Sequence, residues 1–67
     1  MRINQLAEIV ALLMESADEI KAKTNSDSQD YGQLLAYAEA LSIIKDVCDE
    51  DDVKAVGLNF DIDKRYL

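Results

Sequence analysis

The segment "YGQLLAYAEALSIIKDVC", Tyr31 to Cys48, constrains the fold of this chain more than any other. It reads as one helix, yet its apolar side chains occupy more than half of the circumference at about 100° per residue. Leu34, Tyr37, Leu41, Ile44 and Cys48 form the centre of that arc. Ala36, Ala40, Ile43 and Val47 extend it on one side, and Tyr31, Leu35 and Ala38 on the other. Only Glu39, Ser42, Asp46 and Asp49 make a polar strip. One neighbouring helix covers one side of such an arc, so the pattern calls for a second neighbour.

The chain has 67 residues, and a domain of that size buries only about 60% of the surface its unfolded chain exposes. Burial and conformational entropy then nearly cancel, and small chains are usually stapled by disulfides, a structural metal or oligomerisation. Cys48 is the single cysteine, which excludes an internal disulfide. With no histidine either, the donor set of an ordinary zinc site is missing. Oligomerisation is the staple that remains, most simply a homodimer.

A first helix is expected over about residues 4–23. Ile3, Leu6, Val10, Leu13, Ala17 and Ile20 recur in steps of three and four, with Ile9 and Met14 widening the stripe. Glu8, Glu15, Asp18 and Glu19 fall on the opposite side, and Leu12 projects among polar residues. Asn4 is the expected N-cap, and Lys21 and Lys23 suit the negative end of the helix dipole. The polar stretch 24–28 breaks the chain, with Ser26 and Gln29 fitting a capping box. The second helix is expected over about 28–50. So short a connection predicts an antiparallel hairpin.

The remaining residues, 51–67, are expected to form a short helical turn and an extended tail. Asp51 or Asp52 would cap the turn, and Gly57 would close it. Leu58, Phe60 and Ile62 alternate with polar residues, the pattern of an extended segment laid over the hairpin or a partner. The fold class is therefore all-α: one helical-hairpin domain, dimerising into a four-helix bundle.

Charge narrows the function. Fourteen acidic and seven basic side chains give a net charge of −7. An acidic surface is the wrong sign for neutralising phosphates or binding anionic membranes, so neither nucleic acid nor membrane is an expected partner. The longest apolar run, Ile9 to Met14, is far shorter than the roughly 20 residues that span a bilayer. A lone cysteine and the absence of a signal-peptide pattern point to a cytoplasmic setting.

The acids concentrate in Asp46, Asp49, Glu50, Asp51 and Asp52, placed by the expected boundaries at a helix C-terminus. There they would oppose the dipole, so the cluster is either a solvated end or a docking patch for a basic protein. "NFDID", Asn59 to Asp63, begins like a calcium loop, but its sixth position is Lys64 rather than glycine. The repeated spacing Glu15-x-x-Asp18-Glu19 and Asp46-x-x-Asp49-Glu50 resembles the paired acidic helices of α-helical nucleotide pyrophosphatases. In an antiparallel hairpin the two sets stand roughly 30 Å apart, at opposite ends. Cys48 lacks a histidine to activate it, and the surrounding carboxylates disfavour its thiolate.

These observations make catalysis the least expected function, and no cofactor or metal is implied. The leading expectation is a small acidic interaction or regulatory module that self-associates through Leu34, Tyr37, Ala40, Leu41, Ile43, Ile44 and Val47. The alternative is an inhibitor whose carboxylates imitate DNA phosphates, and a metal-dependent nucleotide hydrolase is the remote third reading.

Overall fold

A computed structural model describes residues 1–23 and 27–67. Four helices follow one another: α1 (Ile3–Lys21), α2 (Ser28–Val47), α3 (Glu50–Ala55) and α4 (Ile62–Tyr66). No strand occurs among the described residues. α1 and α2 pack along each other as the hairpin, and α3 and α4 fold back over one side of it, α3 on α1 and α4 on both long helices.

α1 buries Val10, Ala17 and Ile20, with Leu6, Leu13 and Met14 half-buried beside them, so the stripe seen in the sequence is its inner face. Its start differs from the expected Asn4 cap. Arg2 is the N-cap, and its backbone N–H donates to Gln5 Oε1 at 3.0 Å, which moves the first turn two residues earlier. α1 stops at Lys21, short of the expected 23. Lys23 instead reaches across the connection to Asp30, with Nζ donating to Oδ1 at 2.9 Å.

Asp27 caps α2: its carboxylate accepts from the Asp30 N–H at 2.9 Å, and Asp30 accepts from the Asp27 N–H in return. Reciprocal capping satisfies two of the amide groups that a helix start leaves without partners. Ser26, the cap expected from the sequence, lies outside the described residues.

The expected helix to residue 50 is interrupted. α2 ends at Val47, Cys48 is extended, and Asp49 becomes the N-cap of α3 by accepting from the Asp52 N–H at 2.9 Å. The break has an electrostatic consequence. Glu50, Asp51 and Asp52 sit in the first turn of α3 rather than at the end of α2, where the dipole favours carboxylates instead of opposing them. The cap is thus Asp49, not Asp51 or Asp52.

Gly57 closes α3 as the sequence implied. It adopts φ of 81°, its N–H donates to the Lys54 carbonyl, and the Leu58 N–H donates to the Val53 carbonyl. That pair of hydrogen bonds is the Schellman closure, and it drops Leu58 into the core at 0% exposure.

The tail departs from its extended expectation. Leu58 and Ile62 are buried and Phe60 half-buried, so all three do face the hairpin, but the chain recoils into α4. Asp61 caps α4 by accepting from the Lys64 N–H at 3.2 Å. Ile62 and Tyr66, four residues apart and so on one helix face, close the core. Three basic side chains fasten this segment. Lys45 donates to the Phe60 carbonyl at 2.6 Å, Arg65 forms a forked pair with Asp18 at 3.1 and 3.2 Å, and Lys21 reaches the Tyr66 carbonyl at 3.5 Å.

Candidate functional site

The C-terminal segment supplies part of the cover that α2 required. Leu34, Ala38 and Leu41 are buried by α1 and α4 together. Leu34 and Leu41, expected to meet a partner, therefore belong to the core of the chain itself and offer it no free surface. Tyr37, Ala40 and Ile44 are half-buried, while Ile43 and Val47 are 57% and 82% exposed.

Two seams run along α2, one residue out of step. Residues 34, 37, 41, 44 and 48 are spaced three, four, three and four apart and turn inward. Residues 36, 40, 43 and 47, spaced four, three and four apart, form an outer series in which Ala36, Ile43 and Val47 are exposed and Ala40 is half-buried. The outer seam carries no charge.

On this open side a groove of about 470 Å³ runs between the long helices, lined by Leu13, Gln33, Ala36, Tyr37 and Ala40. Ile9 lies one turn before Leu13 on α1 and is partly exposed, and Leu12 beside it is 58% exposed. The groove and the outer seam meet at Ala36 and Ala40, so α2 carries an uncharged apolar strip beside the groove.

The acidic side chains occupy other surfaces. Asp46, Asp49, Glu50 and Asp51 are exposed and Asp52 is half-buried. Asp46 shares a shallow groove with Asp61 and Asp63, which α4 brings alongside α2. The only basic residue lining it, Lys45, spends its amine on the Phe60 carbonyl. Of the carboxylates in the repeated spacing, Asp18 holds Arg65 and Asp49 caps α3. Arg65 beside Asp18 is a neighbour that the sequence alone did not reveal. In the segment that opens like a calcium loop, Asp61 is a helix cap and Asp63 lies in the first turn of α4. Among the described residues, no three acidic or cysteine side chains stand close enough to share a cation.

Two sites show perturbed protonation. The Lys23 hydrogen bond, helped by the Asp27 backbone, holds Asp30 below the usual carboxylate range, and the same pair raises Lys23. Tyr66 is 1% exposed, and its hydroxyl finds no hydrogen-bond partner among the described residues. Burial raises its pKa, and the nearby Asp18 carboxylate adds to that against the opposing Arg65 guanidinium. Cys48 is a free, half-buried thiol at the α2–α3 break. None of the described helices is long and apolar enough to cross a membrane.

Compared with known proteins, the chain matches no family model, no curated sequence and no solved structure.

Proposed function

We propose that this protein is a small acidic interaction module that works by self-association, with its exposed acids available to a basic regulatory partner. The observation that carries this reading is the uncharged outer seam of α2, where Ala36, Ile43 and Val47 are exposed and Ala40 lines the apolar groove with Leu13 and Tyr37. Isolated exposed apolar residues are ordinary, but an uncharged apolar strip along a helix, bordering a groove, is the mark of an interface. It also answers the size problem, since association adds the burial that a core of this size lacks.

The reading predicts a melting temperature that rises with protein concentration, because a folded state stabilised by its own association follows mass action. It predicts little dependence on salt, since the face has no charge to screen. Ile43→Asp should abolish the concentration dependence while the helices remain. A melting temperature independent of concentration in the unaltered chain would remove the basis for the proposal.

One observation favours a second reading. Glu39 and Asp46 on α2 stand with Asp61 and Asp63 of α4 along one acidic side, as an imitator of DNA phosphates would require. Binding of that kind to a basic nucleic-acid-binding protein would weaken steeply between low and physiological salt.

A further inference from the structure

We draw no further inference here: the strongest candidate, the uncharged outer seam of α2 beside the groove that Leu13, Tyr37 and Ala40 line, is the face on which the proposed function already rests, and nothing in the structure shows what covers it.

Discussion

Tyr66 shows how a single side chain can close a core and still hold a cost. Its ring is buried against the hairpin and flanked by Arg65, whose guanidinium lies 5.3 Å from the ring centre. The hydroxyl, however, is buried with no hydrogen-bond partner among the described residues. A buried hydroxyl left unpaired costs about 1–3 kcal/mol, so Tyr66→Phe should leave stability unchanged or raise it by about 1 kcal/mol, read from denaturant unfolding. The sign of its pH dependence follows from the raised folded pKa. The folded chain keeps the phenol proton to higher pH than the unfolded chain, so this contribution is intact below the ordinary value of 10.0 and is lost as pH climbs above it. Tyr66→Phe should accordingly flatten the fall in stability on the alkaline side of pH 10. Asp30 acts at the other extreme: its depressed pKa gives stability that is present at neutral pH and disappears as acid titrates it below the usual carboxylate range.

At the scale of elements, the break at Cys48–Asp49 decides the architecture. It turns the chain back so that Val53, Val56 and Leu58 reach the core, and it changes an acidic run from a burden on α2 into the favoured first turn of α3. Asp49→Ala should cost about 1 kcal/mol, measured by thermal or denaturant unfolding, because the Asp52 N–H loses its cap. Leu58→Ala should cost about 2–5 kcal/mol, since Leu58 is fully buried at the closure. The α1 stripe, the hairpin and the Gly57 closure were legible in the sequence, because spacing and turn chemistry are local properties. The break was not. Asp49, Asp51 and Asp52 all have capping chemistry, and only the need to return Leu58 to the core selects the first. α4 escaped notice because Ile62 belongs to two patterns, the alternation with Leu58 and Phe60 and the four-residue step to Tyr66. Cover for α2 was correctly required by its wide apolar arc, but the sequence could not apportion it. The C-terminal segment takes the side of Ala38, leaving the side of Ala40 and Ile43 open.

On the scale of the whole molecule, the apolar residues that hold the fold differ from those proposed to join copies. Leu41→Asp would bury a charge in the core and should unfold the chain, whereas Ile43→Asp, on the exposed seam, should separate copies that remain helical. Circular dichroism distinguishes the two outcomes. The central claim, that the open face is covered by a second copy, is tested most directly by the molar mass in solution, from light scattering after size exclusion at two protein concentrations and physiological salt. The account predicts about 15 kDa at both, twice the 7.5 kDa of one chain, with Ile43→Asp falling to the single-chain mass. A well-folded chain of single-chain mass at both concentrations would contradict it.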